Sequence, residues 1–152
     1  MDELVVRPLC AEDVERLFEP EEQALAAEWL AQQERGELYV AVAEVDGVPV
    51  GRRCLDFTFF AGQGIGYAFA AAVVADWQSR GIGSMIDRHL EEVARERGLH
   101  TLRSVAEKAN EAAVRWHERQ GDRCTGDQVV GWTDPDGREV EVDCWTFERP
   151  LC

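Results

Sequence analysis

Two short stretches of the sequence contain Gly-Ile-Gly, a tripeptide against which a phosphate group can lie: residues 64–66 and residues 81–83. Glycines let the backbone come close to an anion, but the binding itself comes from N–H groups at the start of a following helix. The first copy runs into the strand-like residues 67–74, so we predict a turn between antiparallel strands there. The second copy opens a segment with apolar residues at helical spacing, so we predict that this copy binds phosphate.

The residues around the second copy exclude two common phosphate-binding motifs. A Walker A loop requires a Gly-Lys pair, which the sequence does not contain. The dinucleotide-binding pattern G-x-G-x-x-G requires a small residue where this chain has Ile86. What remains is the pattern Q-x-x-G-x-G, which runs from Gln78 to Gly83.

The elements that must position this loop follow from hydrophobic periodicity and from turn signals. The predicted order is β-α-α-β-β-β-α-β-α-β-β, with hairpin turns at Asp46-Gly47 and Asp136-Gly137. Helices are expected over residues 11–20, 21–36, 82–97 and 110–121, the last one opened by Asn110. This order predicts a mixed α/β fold, with one central mixed sheet flanked by helices in a single domain over residues 1–152.

Two of these elements carry specific expectations about burial. The second helix is expected to direct Leu25, Trp29 and Leu30 towards the core. The near-continuous apolar run over residues 67–76 predicts a strand buried on both faces.

The charge of the chain narrows the classes of partner. The formal net charge is −14, and Lys108 is the only lysine. This balance argues against binding to nucleic acid or to an anionic membrane surface, and it favours small cationic partners or simply serves solubility. The five cysteines show no C-x-x-C pattern and no metal-ligand spacing, so we expect a cytoplasmic protein without a metal site.

The pattern from Gln78 to Gly83 resembles the coenzyme A pyrophosphate loop of the GNAT family of N-acetyltransferases. Residues 6–18 resemble the opening strand and helix of that family. Residues 110–122 resemble its last-helix motif, in which Asn110 is followed by Ala113 and Gly121. The predicted element order is also that of the family over essentially the whole chain.

The resemblance implies an acetyltransferase that uses acetyl-CoA as cosubstrate and a primary amine, of a small molecule or a peptide, as acceptor. It assigns the acetyl and pantetheine portions to the strand residues Ala71, Ala72 and Val73. It assigns the pyrophosphate to Ser79, Arg80, Gly81, Ile82, Gly83 and Ser84, with added charge from Arg80. Asn110 matches an asparagine that contacts the cofactor, and it also reads as a helix N-cap.

Three positions depart from the family pattern. The tyrosine that usually donates a proton to the departing thiolate is His117 here, and the aromatic residue after Gly121 is Asp122. The positions that hold a catalytic glutamate in many members are Tyr67 and Val105. We therefore predict His117 as the proton donor, with a hydrogen-bonded core histidine as the alternative, and assign no general base.

The same departures keep a second function open, namely an acyl-CoA sensor or regulatory module with weak or no catalysis. For the enzyme, the acidic stretch Glu19-Pro20-Glu21-Glu22 lies at the junction of the first two helices, which flank the acceptor mouth in the family. It favours a small cationic amine as acceptor, although the same stretch also reads as a solvated helix start. The sequence is compatible with a homodimer.

Overall fold

The computed structural model describes residues 3–134 and 136–151. Seven strands form one sheet: β1 (Leu4–Pro8), β2 (Leu38–Val45), β3 (Val48–Asp56), β4 (Ile65–Val73), β5 (Thr101–Glu107), β6 (Arg123–Thr133) and β7 (Glu139–Pro150). Their order across the sheet is β1-β2-β3-β4-β5-β7-β6, and all neighbours are antiparallel except the parallel pair β4 and β5. The helices are α1 (Asp13–Leu17), α2 (Gln23–Glu34), α3 (Ile82–Glu96) and α4 (Glu111–Arg119), which confirms the predicted order and the mixed α/β class.

The helices cover both faces of the sheet. On one face, α3 packs the predicted stripe of Ile82, Ile86 and Leu90 against apolar residues of β2, β3, β4 and β5. On the other face, Phe18 and Trp29 from the α1–α2 segment pack against β2 and β3. No helix in the described ranges combines the length and apolarity needed to cross a membrane.

The predicted inward face of α2 is wrong at one position. Leu25 is 51% exposed, whereas Ala26 and Trp29 are buried. The rotation of the helix is set by Gln33, whose side-chain amide donates to the carbonyl of Leu9 (3.0 Å) and accepts from the N–H of Val40 (2.8 Å). This amide docks against the sheet and turns Leu25 out to the solvent.

The strands β4 and β5 separate soon after they meet. They pair only from Ile65–Thr101 to Tyr67–Arg103, so residues 68–73 of β4 have no strand partner on the β5 side. A β-bulge lies in this free part, where Arg52 of β3 pairs with Ala72 but Cys54 pairs with Phe69. Ala70 in the bulge has a φ of 59°, which is uncommon for a residue other than glycine.

The separation of the strands corrects the prediction for residues 67–76. The strand ends at Val73, and Ala71 and Ala72 are exposed rather than buried on both faces. Both residues line an open cleft on the side where β5 would otherwise continue as a neighbouring strand. The apolar composition of residues 67–76 therefore does not indicate a strand that is buried on both faces.

Candidate functional site

A cleft of about 600 Å³ lies along the free edge of β4. Six of the predicted site residues line it: Ala71, Ala72, Val73, Gly83, Asn110 and His117. Arg52 and Arg53 also line it, although they lie on opposite faces of the sheet. Arg52 lies over the Phe18 ring (4.8 Å) on the α1–α2 side, and Arg53 lies over the Trp116 ring (5.2 Å) on the α4 side. The cleft therefore reaches both faces of the sheet.

A second cavity of about 460 Å³ adjoins the cleft at the loop before α3. Five predicted loop residues line it, namely Ser79, Gly81, Ile82, Gly83 and Ser84. It shares Val73, Gln78, Gly83 and Trp116 with the larger cleft, so the two cavities form one groove.

The loop is built to present its N–H groups to this second cavity. Gly81 is the N-cap residue of α3 and has a φ of 81°, a left-handed conformation that glycine adopts without strain. Among the described residues, no backbone N–H from Ser79 to Ser84 donates to a protein acceptor. Unpaired N–H groups at the start of a fifteen-residue helix are able to bind an anion, because the helix dipole adds to their partial positive charge.

Two predicted loop and helix residues have contacts of their own. The Arg80 guanidinium lies over the Trp77 ring (4.6 Å) and is exposed at the rim of the groove, so of the predicted loop residues it alone is not part of the cavity wall. Asn110 caps α4, because its side-chain oxygen accepts the N–H of Ala113 (3.1 Å). Since Asn110 also lines the larger cleft, its capping role and a contact with a ligand are compatible.

His117 is held firmly in the wall of the cleft. It is 5% exposed, and its ring stacks on Phe147 with centroids 4.5 Å apart and planes 5° apart. Its Nδ1 lies 2.6 Å from a carboxylate oxygen of Asp122, whose side chain is 5% exposed. Burial opposes the ionisation of Asp122, but hydrogen bonds from His117 and Arg149 outweigh it and keep the pKa of this carboxyl below its usual value.

Behind His117 lies a buried network of charged side chains, which we call the ionic network: Arg53, Asp87, Glu91, Asp122 and Arg149. Arg149 donates to Asp122 (2.6 Å), to Glu91 (2.6 Å) and to Asp87, and Arg53 donates to Asp87. The Nε of Arg53 is buried without a partner among the described residues. The network joins β3, α3 and β7 beneath the cleft.

Sequence reasoning missed this network. Its one visible signal is that His117 and Asp122 depart from the family pattern together, five residues apart. Asp87 follows the buried Ile86 on the inward side of α3, where a carboxylate requires a partner.

The positions of the missing glutamates hold the half-buried Tyr67 and Val105, and no carboxylate among the described residues lines the cleft.

Comparison with known proteins relates the chain to one protein family. The family model described as "Acetyltransferase (GNAT) family" matches residues 6–122. A search of curated proteins finds no match to the chain.

Solved structures share the fold at low sequence identity. An N-acetyltransferase of Staphylococcus aureus Mu50 has 19% identity and a TM-score of 0.79 over 99% of each chain. A ribosomal-protein-alanine N-acetyltransferase of Brucella melitensis has 24% identity and a TM-score of 0.76, over 96% of this chain and 99% of that one. An acetyltransferase structure from Salmonella typhimurium with its cofactor acetyl-CoA has 21% identity and a TM-score of 0.73, over 98% and 94%.

Replacing Asp87 by Asn tests the energetic role of the ionic network. Asp87 is 1% exposed and is bonded by both Arg53 and Arg149, so its neutralisation leaves two buried guanidiniums short of a counter-charge. We expect the free energy of unfolding to fall by about 3–5 kcal/mol, measured by urea denaturation. The exposed Glu92 on the same helix provides the control, and Glu92→Gln should change stability by less than about 0.5 kcal/mol. Equal stability of the two variants would contradict a structural role for the network.

Proposed function

The chain belongs to the acetyltransferase (GNAT) family, and we propose that it transfers the acetyl group of acetyl-CoA to a primary amine of a small molecule or a peptide. The observation that carries this proposal is the joined groove, in which the free N–H groups of residues 79–84 lie at one end and the free edge of β4 lies beside the other. The proposal includes a cytoplasmic location, which is supported by the four described cysteines being free thiols.

The residues of the groove fit a long cosubstrate that carries a pyrophosphate group. Bound acetyl-CoA supplies an activated thioester as the acetyl donor. The N–H groups of residues 79–84 bind its pyrophosphate, and Arg80 adds positive charge from the rim. The main-chain groups of Ala71, Ala72 and Val73 that are not bonded to β3 would bind the pantetheine portion and polarise the acetyl carbonyl, because no strand pairs with this part of β4 on the β5 side among the described residues. The carbonyl of Val73 already accepts from the Gln78 side chain (2.9 Å). Asn110 contacts the same portion from the start of α4.

Direct attack of the amine on the thioester requires no covalent bond to the protein. Holding the amine and the thioester in line supplies a large part of the acceleration, because orientation replaces a bimolecular encounter. His117 is the residue that we assign to chemistry, as the proton donor to the departing sulfur. Its place in the cleft wall between Trp116 and Phe147 supports this role.

The second candidate is an acyl-CoA sensor, and one observation favours it. No carboxylate among the described residues lines the cleft, so the residue type that usually removes the amine proton in this family is missing from the site. The two functions share the groove and differ only in turnover.

Release of CoA separates the enzyme from the sensor. We expect amine-dependent CoA release from acetyl-CoA for at least one member of a broad amine panel. CoA should be quantified by chromatography rather than with a thiol reagent, since the exposed thiol of Cys124 would react. Tight binding of acetyl-CoA without release above background for any amine would establish the sensor instead.

Gly83→Val tests the assignment of the loop. An added Cβ at Gly83 meets only Nε1 of Trp116 at 3.7 Å, so the helix tolerates the side chain, but the branched group covers the N–H groups. We expect the variant to fold and to lose the increase in Tm that coenzyme A gives to the wild-type protein. Met85→Val is the matched control, because Met85 lies in the same turn of α3 and is 38% exposed. A retained shift in Gly83→Val would place the pyrophosphate elsewhere.

A small cationic amine remains our proposed acceptor, supported by the acidic stretch before α2. Glu22 is paired with Arg52 (3.2 Å) in the wall of the cleft, whereas Glu19 and Glu21 are exposed beside it. Exposed carboxylates concentrate a cation at the entrance, and salt screens this attraction.

We therefore expect kcat/KM for spermidine to fall as ionic strength rises. A Glu19→Gln, Glu21→Gln double variant should lose much of that salt dependence, because the attracting charges are gone. The control is Glu139→Gln, Glu141→Gln on the distant end of β7, which removes the same charge from exposed positions. A best acceptor that is neutral or anionic would overturn the proposal.

A further inference from the structure

Among the residues that the structure describes, those lining the cleft include one imidazole and no carboxylate, although acetyl transfer moves a proton at two places. Resting on the acetyl transfer proposed above, we propose that His117 first accepts the proton of the amine and then donates it to the sulfur, with Asp122 as its positioning residue. The structural basis is the bond from Nδ1 of His117 to Asp122, which directs the other ring nitrogen to the cleft.

The proton balance of the reaction permits a single carrier. In the transfer, a bond forms between the amine nitrogen and the acetyl carbon, and the bond between that carbon and the sulfur breaks. The nitrogen loses one proton and the sulfur gains one. An imidazole that takes the first proton and gives up the same proton ends each turnover as it began, so no separate carboxylate base is needed.

The hydrogen bond to Asp122 fixes which nitrogen does this work. The low pKa of the Asp122 carboxyl makes it an acceptor only, so Nδ1 of His117 carries a hydrogen and donates it over 2.6 Å. In the neutral ring, Nε2 then has a free lone pair, and it has no hydrogen-bond partner among the described residues. The stack on Phe147 and the edge contact with Trp116 prevent the ring from turning over.

The surrounding charges stabilise the protonated ring during turnover. Asp122 follows α4 directly, and its second oxygen accepts from Arg149 of β7 (2.6 Å). Farther back lie Asp87 and Glu91 of α3 and Arg53 of β3, together with the neutral Ser104 of β5. The ionic network contains three carboxylates and two guanidiniums, and Arg95 of α3 pairs with Glu91 from outside it (3.6 Å). Of these groups, the carboxylate of Asp122 is the one in hydrogen-bond contact with the ring, so it is the group that faces the imidazolium formed between the two steps.

A shuttle and a simple proton donor differ in the pH dependence of the rate. A simple donor must be charged before the reaction, so its rate falls as the pH rises. The shuttle must be neutral before the reaction, so its rate falls as the pH is lowered and the ring is protonated in advance. We expect kcat for the best amine of the panel to show this acid limb.

Three variants test the roles of His117 and Asp122. His117→Phe should lower kcat at least tenfold and abolish the limb, while an acid limb caused by the amine itself would persist in this variant. Asp122→Asn should lower kcat roughly tenfold with little change in the KM for acetyl-CoA, because the hydrogen bond that sets the tautomer of His117 is lost. Asp122→Glu should restore kcat in part, because a carboxylate is regained. His100→Phe, at an exposed position near the start of β5, is the control for loss of an imidazole.

Nitrogen NMR of the wild-type protein keeps the test decisive if the Asp122 variants fail to fold. The neutral His117 ring should carry its hydrogen on Nδ1, and the opposite tautomer would overturn the role of Asp122. An alkaline limb alone, or unchanged kcat in His117→Phe, would overturn the shuttle. Absence of CoA release from the wild-type protein would instead refute the proposed acetyl transfer, and the tautomer would still report on Asp122.

Discussion

The early separation of β4 from β5 is the constraint on which the rest of the structure depends. Three pairs of residues hold the parallel strands together, and beyond them the main-chain groups of β4 face no neighbouring strand on that side among the described residues. The carbonyl of Val73 accepts from the Gln78 side chain instead (2.9 Å). In a closed sheet such groups would pair with a neighbour, since buried polar groups that lack a partner are costly. Here they border a cleft that a ligand can fill. The bulge at Ala70 and the glycine-capped start of α3 are two further departures from regular backbone structure along the groove.

Opening a sheet at its centre also removes packing, and the ionic network restores a connection there. Arg149 of β7 and Arg53 of β3 both reach Asp87 of α3, so strands on the two sides of the opening are joined through one helix. An ion pair that is well hydrogen-bonded tolerates burial, whereas one that has lost a member does not. The shape of the site therefore depends on the ionic network beneath the cleft, whose buried ion pairs require all of their members.

The sequence predicted the local structure around the candidate site where that structure depends on local pattern. The choice between the two Gly-Ile-Gly copies followed from what comes after each of them, and Gly81 indeed caps α3 whereas Gly64 lies just before a strand. Asn110 was found because a helix cap and the apolar face behind it lie within one short segment. The bulk of the fold follows from the same kind of signal.

What the sequence did not reveal depends on contacts between distant segments. The bond between Asp122 and Arg149 spans 27 residues, and the one between Asp87 and Arg149 spans 62. The outward turn of Leu25 depends on Gln33 binding to Leu9, just after β1, and to β2, and the exposure of Ala71 depends on where β5 leaves β4. Hydrophobic periodicity contains no information about such pairings.

The contact between His117 and Asp122 finally makes the two positions energetically interdependent. The family pattern has two uncharged residues, a tyrosine and an aromatic residue, at these positions. This chain has two ionisable residues there, a histidine and an aspartate. A hybrid with Asp122 beside a tyrosine would keep the buried carboxylate with Arg149 and lose the imidazole that balances it. A hybrid with histidine beside an aromatic residue would remove one of the three carboxylates that Arg149 contacts and leave Nδ1 of the imidazole without its partner. Each single replacement therefore leaves a buried polar group with one partner fewer, so the effects of changes at the two positions on the free energy of unfolding are not expected to add.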